Sequence, residues 1–361
     1  MNIRLKDIAD RAGVSVMTVS KVMRDKSDVS AATKERVRKL AVEMGYVPDT
    51  FARSLRTGST KLLGLIISTI TNPIFARTAL AIEEAAHEIG YSVLLGHSLN
   101  MPEREEACIR RMLSQRVEGL LVSPVYRLGR KASLFDDLHK RGLPTVILGH
   151  HAPFCGQFPA VETDDVTASR SITEHLLGLG HRRIAFLAGP AAAPWATERI
   201  AGYRQALVGA NIAPDDSLVF AAGGNLEAGE KAGRQLLAEP NLPSAVQAVN
   251  DLVAIGAATV LLKEGIRVPQ DISVTGFGNI LSSELFRVPL TTVRQPKYRL
   301  GVAAMETMRA LLRKEAPGSR RMPAELLVRE STGAPGPESL AQRGGDAIKR
   351  PPSPLDGRGL G

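Results

Sequence analysis

Residues 5–23 read LKDIADRAGVSVMTVSKVM, and this stretch predicts two short helices separated by a tight turn. Apolar residues at helical spacing place the first helix before Gly13, which suits the left-handed conformation that ends many helices. Ser15 is a favoured N-cap for the second helix, about 16–24, and Val19 begins the inward apolar stripe of that helix.

A third helix is expected behind the first two, at about 31–45. Ser30 is its N-cap, and Gly45 and Pro48 close it. Three helices in this arrangement predict an all-α helix-turn-helix headpiece over residues 1–48. Such a unit offers the N-terminal end of its second helix to the major groove of DNA.

The segment 49–60 is polar and basic, with one protruding apolar side chain, Leu55. It is too short to bury a core of its own. We interpret it as a linker or as a hinge helix that forms only on a partner.

Residues 61–330 alternate apolar strands with amphipathic helices, the pattern of parallel doubly wound sheets. The expected strands are 62–67, 92–95, 119–122, 145–148, 184–187, 218–221, 245–249 and 273–276. This number of strands suits an α/β core of two Rossmann-like subdomains better than a single sheet. The cleft between two such subdomains is a natural site for a small molecule.

The end of the chain, 331–361, is expected to be a disordered tail. Residues 334–361 include five prolines and six glycines. The tail lacks a leucine heptad, so it offers no coiled-coil element for tetramers.

The composition excludes several classes of protein. No apolar run reaches the ~18–20 residues of a membrane span, and the charged N-terminus lacks a signal-peptide core. The two cysteines, Cys108 and Cys155, cannot form a disulfide framework or a zinc site. We therefore expect a cytoplasmic protein with no membrane partner and no cofactor. Nucleophile-elbow, P-loop and metalloprotease motifs are absent from the sequence, which argues against an enzyme.

The net charge of +9 is unevenly distributed. Residues 1–60 carry 12 Lys and Arg against 7 Asp and Glu, whereas 61–312 carry 25 against 24. A basic end on a nearly neutral body is typical of a nucleic-acid-binding arm with a separate regulatory or catalytic body.

The N-terminal segment resembles the signature of the lactose/galactose repressor (LacI/GalR) family of bacterial transcription regulators. Further blocks match in family order, at 29–37, 45–48, 179–186, 199–203, 250–251, 271–274 and 289–293. The resemblance implies a homodimer with a hinge helix and an effector-binding, dimerising core similar to periplasmic sugar-binding proteins.

The same resemblance implies that the chain crosses between the two subdomains of the core more than once. We assign 61–162 plus 293–322 to one subdomain and 163–292 plus 323–330 to the other.

The family's DNA contacts map onto the headpiece and the hinge segment. The expected contacts to double-stranded operator DNA are Ser15, Val16, Met17, Thr18, Ser20, Lys21, Arg24, Ser30, Thr33, Ala52 and Leu55. Val16 and Met17 suit apolar base features, and Lys21 suits guanine. Leu55 matches the side chain that members of the family insert into the minor groove. The alternative to DNA contact is that these apolar side chains pack into a core, which applies to Val16, Met17 and Leu55.

The expected effector contacts are Phe75, Ser123, Trp195, Arg199, Asn250 and Phe277. Arg199 lies at a family position that faces the cleft, and a guanidinium grips hydroxyls, carboxylates or phosphates. A surface ion pair with Glu198 is the alternative for Arg199. Asn250 follows a strand, where open α/β sheets bind ligands, and Asp251 beside it is a candidate helix cap.

Two departures from the family pattern affect the choice of effector. Gly278 and Asn279 stand where many relatives carry an acidic pair, and this loss favours an anionic effector such as a sugar acid or sugar phosphate over a plain sugar. His150 and His151 follow Gly149, where many relatives have Asp-Arg, but their spacing fits no strong metal motif.

These observations favour a repressor whose affinity for an operator is controlled by a small molecule. The alternative is a sugar-binding or sugar-modifying protein that does not act on DNA.

Overall fold

The structure is a computed structural model that describes residues 3–47, 58–129 and 132–336. The chain divides into two compact units, Met1–Thr60 and Lys61–Gly361. The first unit is a headpiece of helices, and the second is an α/β core.

The headpiece consists of α1 (Leu5–Ala12), α2 (Val16–Met23) and α3 (Ala31–Glu43). Its core contains buried apolar side chains from all three helices: Ile8, Ala9, Ala12, Val19, Val22, Val37 and Ala41. Gly13 ends α1 with φ +63°, the left-handed conformation that its lack of a Cβ makes easy. The second and third helices end one and two residues earlier than predicted.

The core contains a first parallel sheet, which with its helices forms the N-subdomain. Its strands are, in spatial order, β11 (Arg320–Met322), β5 (Ala160–Thr163), β4 (Thr145–Leu148), β3 (Gly119–Val122), β1 (Leu62–Ile67) and β2 (Ser92–His97). Its helices are α4 (Pro73–Glu88), α5 (Pro102–Ser114), α6 (Ser133–Lys140) and α12 (Lys297–Leu312). The central strands β1 and β3 are buried on both faces, as expected of parallel strands covered by helices.

A second parallel sheet with its own helices forms the C-subdomain. Its strands are, in spatial order, β7 (Val219–Ala221), β6 (Ile184–Ala188), β8 (Ala245–Ala248) and β9 (Ser273–Thr275). Its helices are α7 (Asp165–Gly178), α8 (Pro194–Gly209), α9 (Leu226–Leu237), α10 (Asp251–Lys263) and α11 (Leu281–Leu285). Glycines let the helix pairs approach closely, since a Cβ at Gly202 of α8 would collide with the carbonyl oxygen of Val166 on α7.

The chain crosses between the subdomains three times. It passes from β5 into α7, from β10 (Thr292–Arg294) into α12, and from β11 to β12 (Glu325–Leu327). Strand β12 returns to pair antiparallel with β10. Residues that are far apart in the sequence therefore meet at the junction of the two subdomains.

Four short strands, β5, β10, β11 and β12, were not among the strands expected from the sequence. Each has three or four residues, too few to show an alternating pattern. Strand β11 also contains two exposed arginines, and its place at the sheet edge comes from pairing with β5.

The expected start of a disordered tail at 331 is wrong for its first six residues. Ser331 is buried, and its hydroxyl donates to the carbonyl oxygen of Val274 at 2.5 Å. The carbonyl oxygen of Gly333 accepts from Nε2 of His181 at 2.8 Å. The Val274 amide of β9 also donates to the Ser331 carbonyl oxygen at 2.8 Å, so contacts with β9 hold this segment. Residues 337–361 lie outside the described residues.

Among the helices that the structure describes, none has the length and apolar character needed to cross a membrane.

Candidate functional site

The first turn of α2 is built by a hydroxyl cap. Ser15 Oγ accepts a hydrogen bond from the Thr18 amide at 3.1 Å, and the two hydroxyls lie 2.9 Å apart. The cap satisfies one of the amide groups that a helix start leaves without a partner. Ser30 and Thr33 repeat the same geometry at the start of α3, with 3.3 Å to the amide and 2.9 Å between hydroxyls.

The two faces of α2 differ sharply in exposure. Val16 is 44% and Met17 is 64% exposed, whereas Val19 and Val22 are fully buried. The apolar pair at the start of the helix therefore belongs to the surface, not to the core of the headpiece. An exposed apolar pair at this end of a helix suits contact with thymine methyl groups.

Lys21, the candidate base-reading cation, is already paired in the structure. Its Nζ lies 2.5 Å from Oδ2 of Asp28, in the turn before α3. This hydrogen bond lowers the pKa of the Asp28 carboxyl. Sequence reasoning missed Asp28 because the partners are seven residues apart and belong to different elements.

The remaining predicted DNA contacts are distributed over the headpiece and beyond it. Ser20 lies on α2, and its carbonyl oxygen accepts from Arg24 Nε at 2.9 Å. Ala52 and Leu55 lie outside the described residues.

In the core, Arg199 is buried, and each of its three guanidinium nitrogens has a partner. Its Nε and Nη2 lie 3.0 and 2.9 Å from Oδ2 of Asp165, and its Nη1 donates to the carbonyl oxygen of Val249 at 2.7 Å. The alternative of a surface pair with Glu198 is wrong, because Arg199 is buried and binds Asp165 and the Val249 carbonyl oxygen instead.

Two of the other predicted effector residues cover the same guanidinium. The Phe277 ring centroid lies 3.6 Å from Arg199 Cζ, and the Trp195 centroid lies 4.9 Å from it. Both are cation–π contacts, which gain strength when water is excluded. The structure therefore brings Trp195, Arg199 and Phe277 together.

Asp165 carries an acceptor that the described residues leave unused. Its Oδ2 binds Arg199, but none of the residues in the described ranges donates to its Oδ1. Burial raises the pKa of this carboxyl, although the Arg199 charge opposes the rise. The neighbouring Asp164 is the N-cap of α7, accepting from Thr167 at 3.2 Å.

A histidine from the N-subdomain reaches this group of C-subdomain residues. His150, which follows β4, places Nε2 3.1 Å from Oε2 of Glu198 and 4.0 Å from Oδ2 of Asp165. Arg321 of β11 binds the other oxygen of Glu198 and also Oε1 of Glu162, the latter at 2.9 Å. Glu198 is thus paired across the cleft with two residues of the other subdomain.

His151 does not share these partners. Its Nε2 lies 2.7 Å from the carbonyl oxygen of Phe158 in its own subdomain. The two adjacent histidines therefore point to different surroundings.

Asn250 acts as a structural cap. Its Oδ1 accepts from the Val253 amide at 2.8 Å, and its Nδ2 donates to the Gly224 carbonyl oxygen at 3.0 Å. Asp251, the candidate cap, is instead buried, and accepts from Thr292 Oγ1 at 2.5 Å and from the Ile280 amide at 2.9 Å.

Phe75 and Ser123 lie in the N-subdomain. Phe75 is half-buried on α4 and packs against the apolar core of that subdomain. Ser123 directly follows β3, and its amide donates to the Ile66 carbonyl oxygen at 2.8 Å.

Asn279, which departs from the family pattern, has two basic partners. Asn279 Oδ1 accepts from Arg329 Nη2 at 2.8 Å, and its carbonyl oxygen accepts from Lys297 Nζ at 2.6 Å. The carboxylate of Asp251 lies directly behind this loop, since a Cβ at Gly276 would collide with it.

Comparison with known proteins places these features in a family. Residues 4–49 match the bacterial regulatory proteins of the lacI family, and 173–332 match a periplasmic binding protein-like domain. The transcriptional repressor CytR of Escherichia coli K12 is 34% identical, over 91% of this chain and 96% of its own. The transcriptional regulator DegA of Bacillus subtilis is 31% identical, over 92% of this chain and 98% of its own.

Solved structures agree with the sequence comparison. The lac repressor dimer bound to operator and the anti-inducer ONPF has a TM-score of 0.82 at 29% identity, over 92% of this chain and 100% of that one. The CelR–cellobiose complex has a TM-score of 0.69 at 30% identity, over 91% and 100%. The predicted family resemblance and fold class are both confirmed, and the relatives named here are regulators rather than enzymes. The chain belongs to the lacI family of bacterial regulatory proteins.

Proposed function

We propose that this protein is a homodimeric transcriptional repressor that binds an operator through α2. Its affinity for the operator is controlled by a small effector bound between the core subdomains. The observation that carries the proposal is the surface of α2. It exposes Val16 and Met17 at the end that a helix-turn-helix presents to DNA, while its opposite face fills the core of the headpiece.

The roles of the headpiece residues follow from their chemistry. Val16 and Met17 contact thymine methyls, and Lys21 donates to guanine after it leaves Asp28. Hydroxyl groups of the headpiece contact phosphates, which fixes the register of the protein on the duplex. The hydroxyls involved are those of Ser15, Thr18, Ser20, Ser30 and Thr33, with Arg24 beside them.

We assign the hinge role to Ala52 and Leu55 on the strength of the resemblance to the family. An apolar side chain inserted from each subunit unstacks a central base step and bends the duplex. Pyrimidine–purine steps make that insertion easiest.

The contacts of Arg199 bear on the class of effector. Its charge is neutralised by Asp165, so Arg199 does not offer an unpaired cation to a phosphate or carboxylate. Oδ1 of Asp165 has no partner among the described residues and can accept a hydrogen bond from a hydroxyl group of the effector. We therefore favour a hydroxyl-rich neutral sugar over a sugar acid or sugar phosphate, and one of the similar structures holds the neutral disaccharide cellobiose.

The DNA-binding proposal is tested by selecting bound sequences from a random duplex pool at a fixed salt concentration, because phosphate contacts make affinity depend on salt. We expect a palindrome of roughly 14–20 base pairs, with half-sites about one helical turn apart. Lys21→Gln should relax the preference at one position of each half-site, whereas Lys26→Gln, in the turn after α2, should leave it unchanged. A pool that stays random with and without added metabolite extract would contradict the proposal.

A further inference from the structure

We propose that His150 is a proton-operated latch, which holds the two core subdomains together by binding the carboxylates of Glu198 and Asp165. The latch regulates the cleft to which we assign effector binding, so its biological meaning rests on the proposed function. The latch itself is a property of the core and needs neither DNA nor effector.

The geometry joins one imidazole to two carboxylates across the subdomain boundary. His150 is carried by the loop after β4 of the N-subdomain, while Glu198 lies on α8 and Asp165 begins α7 of the C-subdomain. The ring nitrogen lies 3.1 Å from Glu198 and 4.0 Å from Asp165, and the side chain is buried. Opening of the cleft would therefore separate the ring from both acids.

When the imidazole is neutral, the groups around it carry one more negative charge than positive charge. The charged and titratable groups facing it from the packed elements are Glu162, Asp165, Glu198, Arg199, Arg321 and Tyr126. The three carboxylates are opposed by two guanidinium groups, and the Tyr126 hydroxyl donates to the His150 carbonyl oxygen at 2.9 Å. A protonated imidazole completes the neutralisation of this buried cluster, and unbalanced buried charge is costly.

The direction of the pH effect follows from these contacts. Burial by itself lowers the pKa of the imidazole, but the hydrogen bond to Glu198 and the nearby carboxylates outweigh burial and leave the pKa raised above 6.5. In an open cleft the ring returns toward its ordinary value. The closed form is therefore favoured below pH 6.5 and loses that advantage as the pH rises through the raised pKa. Each unit of difference between the two pKa values changes the closed-to-open ratio about tenfold.

The sequence supplies both a reporter and a matched control for a test. Trp195, the only tryptophan, is the second residue of α8, three residues before Glu198, and lies against Arg199. His151 is the adjacent histidine, but it binds a carbonyl oxygen of its own subdomain. The experiment follows Trp195 emission of the full chain from pH 5.5 to 9, with amide exchange of 145–151 and 194–199, corrected for the intrinsic rate, as a second readout.

We expect the wild type and His151→Gln to show one transition with a midpoint above 6.5, with faster exchange of both segments on the alkaline side. His150→Gln, which keeps a donor but cannot titrate, should lose the transition and the pH-dependent exchange. A transition that persists unchanged in His150→Gln, or none in the wild type, would overturn the proposal.

A second variant covers the case in which His150→Gln fails to fold. Glu198→Gln keeps the side-chain shape but removes one charge, so the midpoint should move toward lower pH. An unmoved midpoint would overturn the latch. Because no DNA is used, a failure of operator binding would contradict the proposed function without affecting this result.

Discussion

Oδ2 of Asp165 lies 3.0 and 2.9 Å from Nε and Nη2 of Arg199, and the other oxygen of the carboxylate has no donor among the described residues. The pair is buried, and its guanidinium is covered by two aromatic rings. Both residues belong to the C-subdomain, and we propose that they also contact the effector.

Replacement of Arg199 by alanine should abolish the effector response and also destabilise the core. Removal of one partner of a buried ion pair leaves an uncompensated charge, which costs about 3–5 kcal/mol. Urea unfolding measures the loss, and operator binding without effector should remain. Arg234→Ala, which removes an exposed partner of Glu230, serves as the control and should change stability little.

The double variant Arg199→Ala with Asp165→Asn should recover part of that stability, because the buried charge is gone. A double variant no more stable than Arg199→Ala would show that Arg199 acts through packing on the aromatic rings rather than through its charge.

Asp28→Asn should release Lys21 and remove a negative charge from beside it. We expect tighter non-specific DNA binding and a salt dependence steeper by about one unit of log–log slope. Binding to unrelated duplexes over a salt series gives both values. Asp216→Asn, an exposed acid of the core, is the matched control, and an effect of equal size there would contradict a local role for Asp28.

Leu55→Ala should weaken operator binding more than non-specific binding. Insertion of an apolar side chain is useful only where the duplex bends, so the loss belongs to the specific complex. The two affinities are measured at one salt concentration. Equal losses on both DNAs would remove Leu55 from the hinge role.

Two truncated chains should show how much the hydrogen-bonded segment after β12 contributes to stability. A chain ending at 336 keeps the bonds of Ser331 and Gly333 and should retain its unfolding midpoint. A chain ending at 330 loses both and leaves His181 without one acceptor, so thermal unfolding should occur at a lower temperature. Equal midpoints for the two chains would show that these bonds contribute nothing measurable.

Local sequence determined the headpiece and much of the element order of the core. Ser15 and Ser30 cap their helices, and Gly13 takes the left-handed conformation, because these effects act within three or four residues. The burial of Val19 and Val22 followed from helical periodicity. The longer strands of both sheets were likewise predictable, since a parallel strand buried on both faces is a continuous apolar run.

Tertiary structure decided the partners of the polar groups. Lys21, expected to read a base, is held by Asp28, and Arg199, expected to contact the effector, is bound by Asp165. No periodicity relates such pairs, because a side-chain ion pair depends on where crossings of the chain bring separate elements together.

The junction of the subdomains is the clearest case. His150 is separated from Glu198 by 48 residues, and Arg321 from Glu198 by 123. Their meeting requires both sheets to be formed and the chain to have crossed between them. Chain-local forces set where helices begin and end, whereas the charge balance of the cleft arises when long-range packing removes these groups from water.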